Sequence, residues 1–209
     1  MKILLIEDDV RQVQFAQQTL SGHELFVCGC KHEAQKYFKA SYCGCELLQP
    51  FDLMVTDLFL PARSDPGYKP SYIIGLDLFE AGLRLFAQDM IKGVALISNF
   101  EHHVNDSEVD DDCRSRVGTV QKLTQIFGKR VFCDEDNQLR VMKSSPKSWN
   151  ALTLFDVHVD NYTHVLSPQG ELMPKAKVYK QFGSMKAAKT EGFSLAKLFK
   201  FVVNGLLQD

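Results

Sequence analysis

The stretch Lys2–Asp9, KILLIEDD, decides the fold that we expect for this chain. Its centre, Ile3–Ile6, is apolar without a break, which is typical of a strand that is covered on both faces of a parallel sheet. Glu7 and Asp8 follow at the point where such a strand should end. Because binding sites in open parallel sheets form beyond the carboxyl ends of the strands, this stretch predicts both a central strand and the start of an acidic site.

Outward from this strand, short apolar runs alternate with longer amphipathic stretches, which predicts an α/β fold around a parallel sheet. The other predicted strands are LFVCGC from Leu25, FDLMVTDLFLP from Phe51, VALIS up to Ser98, VFC at 131–133 and LRVM at about 139–142. The predicted helices cover about 10–20, 33–48, 76–88, 117–127, 146–155 and 194–207, and a hairpin is expected around 168–170. No run approaches the ~20 apolar residues of a membrane span, and no signal peptide is evident, so we expect a cytoplasmic protein.

Polar side chains of useful chemistry stand at the ends of the predicted strands. Asp57 lies near the end of the third strand, Ser98 ends the fourth, and Lys143 follows the stretch LRVM. If these strands are neighbours, the three side chains converge with Glu7 and Asp8 on one crevice. Clustered carboxylates repel one another, and Mg²⁺, a hard cation that takes oxygen ligands, relieves that repulsion. Such a site can hold a phosphoryl group, with Asp57 as the nucleophile.

An ordered set of motifs resembles the receiver domains of two-component response regulators. KILLIEDD resembles their opening strand and acidic pair, VTDLFLP the segment around their phosphoacceptor, GLDLF from Gly75 the start of their third helix, VALIS their fourth strand, and RVMK their fifth strand with its lysine. The resemblance covers roughly residues 1–158. Several such motifs in the family's order are far more specific than any one of them.

The resemblance implies a doubly wound, five-stranded parallel sheet of the flavodoxin-like kind, with strand order 2-1-3-4-5. It implies a receiver domain at 1–158 and a short C-terminal extension at 159–209 that would carry the hairpin and an amphipathic helix. The implied Mg²⁺ ligands are Glu7, Asp8, Asp57 and the backbone carbonyl of Phe59, with Asp57 also the phosphoacceptor, and Ser98 and Lys143 would contact the phosphoryl oxygens.

By the same resemblance, the chain is expected to act as a response regulator in phosphorelay signalling. A histidine kinase or a phosphotransfer protein would supply the phosphoryl group, and a downstream protein or self-association would carry the output. No enzymatic activity is expected beyond the chain's own phosphorylation and dephosphorylation. From Glu171 onward the sequence has seven Lys and no Arg, so direct DNA binding is not expected, nor is contact with a membrane.

Several features depart from the family pattern. The interval between Ser98 and Lys143 is long, and Arg140 stands where an aromatic residue is usual before the lysine. These departures favour, as one alternative, a degenerate receiver that binds partners without phosphate. Lys129, which precedes another short apolar run, also competes with Lys143 for the role of site lysine.

A further alternative is a phosphohydrolase of the haloacid-dehalogenase type. That family also uses an aspartate nucleophile, a serine or threonine after a strand, a lysine and late acidic residues, for which this chain offers Asp57, Ser98, Lys129 and Asp134 or Asp136. Its first motif requires a second aspartate two residues after the nucleophile, and this chain has Phe59 there. The acidic pair after the first strand also has no role in that reaction.

The cysteines include two Cys-Gly-Cys pairs, at 28–30 and 43–45. Structural zinc sites use a wider spacing between paired cysteines, so these pairs are poor zinc ligands. We expect the cysteines to be reduced thiols.

Overall fold

The computed structural model describes residues 1–41, 44–97, 131–133, 139–141, 151–153, 164–197, 199–200 and 203. The strands are β1 Lys2–Ile6, β2 Glu24–Cys28, β3 Phe38–Ser41, β4 Gly44–Leu47, β5 Leu53–Asp57, β6 Gly93–Ile97, β7 Val131–Cys133, β8 Leu139–Val141, β9 Ala151–Thr153, β10 His164–Leu166, β11 Leu172–Pro174 and β12 Ser194–Leu195. The helices are α1 Val10–Thr19, α2 Lys31–Ala34, α3 Tyr72–Ala87, α4 Lys175–Phe182 and α5 Met185–Thr190. Within these ranges, no helix is both long enough and apolar enough to cross a membrane.

A parallel sheet forms the centre of the molecule, which confirms the predicted α/β fold. Its strands lie in the order β2-β1-β5-β6-β9, and every neighbouring pair is parallel. The register places Ile6 opposite Thr56, and Asp57 opposite Ile97. The strands β1, β5 and β6 therefore end at one edge of the sheet, where the residues that follow β1 lie beside the end of β5.

Both faces of this sheet are covered. Successive side chains of a strand point to opposite faces, so Leu4 and Ile6 pack in the cluster that includes α3, whereas Ile3 and Leu5 pack in the cluster that includes α1. All four are at most 1% exposed. This double burial is the reason that the first strand reads as an unbroken apolar run rather than as an alternating one.

The helix α3 packs closely against the loop that follows β5. A Cβ atom on Gly75 would lie 2.0 Å from the carbonyl oxygen of Leu58 and 2.6 Å from that of Asp57, so no side chain fits there. The helix begins just before this contact, at an N-cap in which the hydroxyl of Ser71 accepts a hydrogen bond from the backbone of Ile73. The start of α3 thus constrains the backbone at Asp57 and Leu58.

The second predicted helix, at about 33–48, is wrong over most of its length. The helix α2 ends at Ala34, and the chain then forms the antiparallel hairpin of β3 and β4. Gly44 has φ 140°, a backbone conformation that favours glycine and cannot be part of a helix. In the hairpin, Phe38 is buried and its ring contacts the ring of Phe51.

The predicted fifth strand is also corrected. Leu139–Val141 does form a strand, β8, but it pairs antiparallel with β7 in a separate two-stranded sheet. The strand beside β6 is instead β9, which lies inside the helix predicted at about 146–155. A short apolar run does not show by periodicity whether it is strand or helix, and here tertiary pairing decides. The helix predicted at 117–127 lies outside the described residues.

The C-terminal part contains the predicted hairpin, since β10 and β11 pair antiparallel across the turn at 167–170. The strand β12 pairs on the other side of β10, and α4 and α5 pack over the three strands through the cluster Val165, Val178, Met185, Ala188 and Leu195. The helix predicted over Ser194–Leu207 starts later, because Ser194 and Leu195 are strand while Phe199 and Lys200 are helical. Phe199 and Val203 pack in the same cluster as Ile3 and Leu5, so the body of the molecule covers these two residues.

Candidate functional site

Acidic side chains from two neighbouring strands meet at the carboxyl edge of the sheet. The backbone N–H of Glu7 donates to the carbonyl of Cys28 at 2.9 Å, so the β1–β2 ladder extends to Glu7, while Asp57 is the last residue of β5. Glu7 is 2% exposed and Asp57 is 6% exposed. One ligand oxygen from each of Glu7, Asp8 and Asp57 lies within 4.8 Å of the others. The sequence analysis predicted this convergence, and its cause is the parallel register of β1 and β5.

A lysine from the C-terminal part enters this acidic cluster. The Nζ atom of Lys197 lies 2.5 Å from Oε2 of Glu7 and 2.7 Å from Oδ1 of Asp57. Lys197 is 2% exposed, and a buried ammonium is tolerated only where carboxylates compensate its charge. The sequence did not reveal this role, because Lys197 falls within the stretch 194–207 that was predicted as a helix.

A signal for Lys197 was nevertheless present in the sequence. The run Ser194–Lys197, SLAK, has a short apolar stretch closed by a lysine, the same pattern as Val141–Lys143. The amphipathic spacing of the residues after it concealed this pattern by suggesting one continuous helix. A pattern this short does not show which of several lysines reaches the site. Lys197 and Glu7 are 190 residues apart in the sequence.

The pKa values of these groups reflect burial and mutual repulsion. Burial raises the pKa of Glu7 well above its usual range, and the charge of Asp57 adds to this effect, although Lys197 opposes it. Burial and then the charge of Asp57 raise the pKa of Asp8 to about 6. Burial lowers the pKa of Lys197, but the carboxylates of Asp57 and Glu7 outweigh burial and raise that pKa overall. If all three carboxylates are ionised, their negative charge exceeds what the one ammonium of Lys197 neutralises.

The residue after the acidic pair, Asp9, organises the start of α1. Its carboxylate accepts from the backbone N–H of Arg11 at 2.9 Å and is held by two nitrogens of the Arg11 guanidinium, at 3.0 and 2.9 Å. Burial alone would raise the pKa of Asp9, but the hydrogen bonds and charge of Arg11 hold it below its usual range. The backbone N–H of Asp9 donates to Oε1 of Glu7 at 3.1 Å. Asp9 is thus engaged in capping, which leaves Asp8 as the more available carboxylate.

A cavity of about 300 Å³ opens over the cluster. One wall is formed by the acidic residues and the start of α1, and the other by the segment before and including Lys197. Its lining residues are Glu7, Asp8, Asp9, Arg11, Gln12, Asp57, Phe59, Lys189, Gly192, Phe193, Ser194, Leu195 and Lys197. Glu7, Asp8 and Asp57 therefore share one cavity with Lys197.

The residues predicted for the site divide into two groups. The structure brings Glu7, Asp8 and Asp57 together, and Phe59 lines the same cavity. Ser98, Lys143 and the competing Lys129 lie outside the described residues, as do Asp134 and Asp136 of the phosphohydrolase alternative.

Comparisons with known proteins find similarity among solved structures. No family model matches the chain, and no curated protein matches it. Among solved structures, it is similar to the crystal structure of the Mn²⁺-bound form of response regulator Rcp1, with 20% sequence identity and a TM-score of 0.33. That similarity covers 56% of this chain and 74% of the other. With values this low, the functional argument rests on the site itself.

Proposed function

We propose that this chain is a receiver-type signalling module in which Asp57 accepts a phosphoryl group with the help of a divalent cation. One observation carries the proposal. Asp57 is a buried aspartate at the end of a central parallel strand, and it lies beside the carboxylate of Glu7. Its Oδ1 is 2.7 Å from the buried ammonium of Lys197, and all three residues line an open cavity. An aspartate nucleophile, a cationic group and a hard-ion ligand set are the parts that phosphoryl transfer requires.

The residues present fit a divalent cation. The candidate ligands are carboxylate oxygens from Glu7, Asp8 and Asp57, which suit Mg²⁺ or a similar hard ion. Among the described residues, the Lys197 ammonium pairs with Oε2 of Glu7 and Oδ1 of Asp57, while Asp8 is exposed and lines the cavity. When bound, such an ion offsets the repulsion among the carboxylates and the charge of an incoming phosphoryl group.

The proposed step is a direct displacement at phosphorus. An oxygen of the Asp57 carboxylate forms a bond to phosphorus, and the bond from phosphorus to the donor's leaving atom breaks. With acetyl phosphate as the donor, acetate leaves with the electron pair and an acyl phosphate remains on Asp57. The ammonium of Lys197, already beside Oδ1, stabilises the charge on the transferred oxygens.

The wider role that we propose follows from the resemblance of the sequence motifs to those of receiver domains. The phosphoryl group would come from a histidine kinase or a phosphotransfer protein in the cytoplasm, and the output would pass through a protein partner or self-association. The order of the central sheet is interpreted as the flavodoxin-like order 2-1-3-4-5, with β9 as its last strand. Residues 1–158 would form the receiver domain, to which the segment 159–209 adds a lysine of the site.

The experiment compares two aspartates at opposite ends of the same strand. The full chain is incubated with acetyl phosphate and Mg²⁺, and intact mass is measured for the native protein, Asp57→Asn and Asp52→Asn. Asp52 precedes β5 and forms an ion pair at the opposite edge of the sheet, so its variant is a matched control. We expect one added phosphoryl group in the native protein and in Asp52→Asn, and none in Asp57→Asn.

Two results would contradict the proposal. Labelling that persists in Asp57→Asn would move the acceptor elsewhere. A native protein that takes no phosphoryl group at any Mg²⁺ concentration would instead favour the degenerate receiver, in which the buried ion cluster is purely structural.

A further inference from the structure

Gln12 is a fully buried side chain on α1 that the proposed reaction does not use. It is 0% exposed, and a buried amide is destabilising unless both of its ends are hydrogen-bonded. Its Nε2 donates to the carbonyl of Leu195 at 2.8 Å, and its Oε1 accepts from the backbone N–H of Lys197 at 3.2 Å. Both ends of the amide therefore form hydrogen bonds to a segment that is more than 180 residues away along the chain.

The two hydrogen bonds bracket the residue that enters the site. They hold the backbone on either side of Ala196, immediately before the Lys197 side chain turns into the acidic cluster. The first turn of α1 begins at Val10, three residues after Glu7, so the chain segment that supplies one carboxylate also holds the backbone of the lysine that pairs with it. Nε2 of Gln12 also lies 3.4 Å from the hydroxyl oxygen of Ser194, and Nη1 of Arg11 donates to the carbonyl of Gly192 at 2.5 Å.

We propose that Gln12 is a positioning residue, which fixes the backbone of Leu195–Lys197 so that the Lys197 ammonium is shared between Glu7 and Asp57. For its effect on phosphorylation, this inference rests on the proposed function; for its effect on Lys197 itself, it does not. The segment has a separate anchor, because the N–H of Ala196 donates to the carbonyl of His164 at 3.2 Å. Loss of the Gln12 amide should therefore loosen Lys197 without releasing the strand.

The first test replaces the amide by an apolar side chain of similar length. Gln12→Met is compared with Gln17→Met, which makes the same change at an exposed position of the same helix. We expect Gln12→Met to lower the phosphorylation rate at saturating acetyl phosphate by about tenfold while Mg²⁺ affinity stays within about twofold, because the carboxylates are untouched. Equal rates in Gln12→Met and Gln17→Met would overturn the inference.

A double-mutant cycle separates positioning from general stability. If Gln12 acts through Lys197, then adding Gln12→Met to Lys197→Met should cause no further loss of rate. A merely structural role would give a further loss in the double variant, comparable to that in the single one. That additive result would contradict the proposal.

A second measurement does not require phosphorylation. The full chain is treated with acetic anhydride, and acetylation of Lys197 is compared by peptide mass spectrometry with that of the exposed Lys36. We expect Gln12→Met to raise the relative acetylation of Lys197 by about tenfold and Gln17→Met to leave it unchanged. Protection of Lys197 that is the same in both variants would overturn the inference, even if Asp57 is phosphorylated.

A conservative variant keeps the test decisive if Gln12→Met does not fold. In its ionised form, Gln12→Glu retains an acceptor for the N–H of Lys197 and loses the donor to Leu195. We expect a smaller rise in Lys197 acetylation, about threefold, with native far-ultraviolet circular dichroism. Full protection of Lys197 in folded Gln12→Glu would show that the hydrogen bond from Gln12 to Leu195 is not needed. That result would contradict the proposal that both hydrogen bonds of Gln12 position Lys197.

Discussion

The two ends of β5 each have an aspartate–lysine ion pair, and the pairs differ in burial and in sequence distance. Before the strand, Asp52 pairs with Lys92 at 2.7 Å, with the lysine side chain 67% exposed. At its end, Asp57 pairs with Lys197, whose side chain is 3% exposed. The first pair joins the starts of adjacent strands and is screened by water, whereas the second unites distant segments around a cavity. The contrast indicates that burial, rather than pairing alone, distinguishes a site from a surface ion pair.

Removing each lysine should break this comparison most clearly. Lys197→Met leaves two buried carboxylates without their cation, and we expect it to lower the free energy of unfolding by about 3 kcal/mol or more. Lys92→Met makes the same chemical change at the exposed pair and should lower it by less than about 1 kcal/mol. Urea unfolding of the two variants measures the difference. Equal losses would show that the Lys197 cluster is solvated and not the buried cluster described above.

The close approach of α3 to the end of β5 gives the next largest effect. Gly75→Ala would place a Cβ atom against the carbonyl of Leu58, and relief of that contact must move backbone, so we expect a loss of about 1–3 kcal/mol. Gly67→Ala is the control, because its Cβ would meet nothing within 4 Å, and its effect should stay within about 0.5 kcal/mol. Thermal unfolding compares the two. Indistinguishable variants would mean that the helix does not constrain the loop after Asp57.

The smallest effect concerns the exposed pair and its dependence on pH. Hydrogen bonds from Lys92 and from the backbone of Lys2 lower the pKa of Asp52. A lowered pKa contributes stability above the unfolded pKa of about 4, and this contribution is lost as pH falls through the folded pKa. Because the pair is largely solvated, Asp52→Asn should destabilise by only a few tenths of a kcal/mol at pH 7.

The check on this prediction is urea unfolding of the native protein and Asp52→Asn from pH 7 to pH 2. The difference between the two proteins should be present at neutral pH and vanish in acid. A difference that grows as pH falls would contradict the lowered pKa of Asp52.

The fold was predictable from the sequence where burial and local pattern agree. The apolar run Ile3–Ile6 and the acids after it showed the central strand and one half of the site, because both follow from the period and register of a parallel sheet. The hairpin after α2 was not predictable in the same way, since its amphipathic pattern also suits a helix and the turn at Gly44 overrides that pattern. Local pattern decides an element only where tertiary contacts do not compete with it.

The site was predictable only for its acidic half. The sequence identifies the strand ends at which Glu7, Asp8 and Asp57 lie. Lys197 instead reaches the cluster through the pairing of β12 with β10 and the hydrogen bond from its backbone N–H to Gln12. Neither contact has a local signature, because each joins residues far apart in the sequence. Several lysines in this chain follow short apolar runs, and only the fold selects among them.

The most direct test of the central claim is to locate the phosphoryl group chemically. The full chain is treated with acetyl phosphate and Mg²⁺, then with borohydride, which reduces an acyl phosphate of aspartate to homoserine, and peptides are sequenced by mass spectrometry. The account predicts homoserine at Asp57, dependent on both acetyl phosphate and Mg²⁺, and none at Asp52. Homoserine at another aspartate, or none at any position after complete peptide coverage, would contradict it.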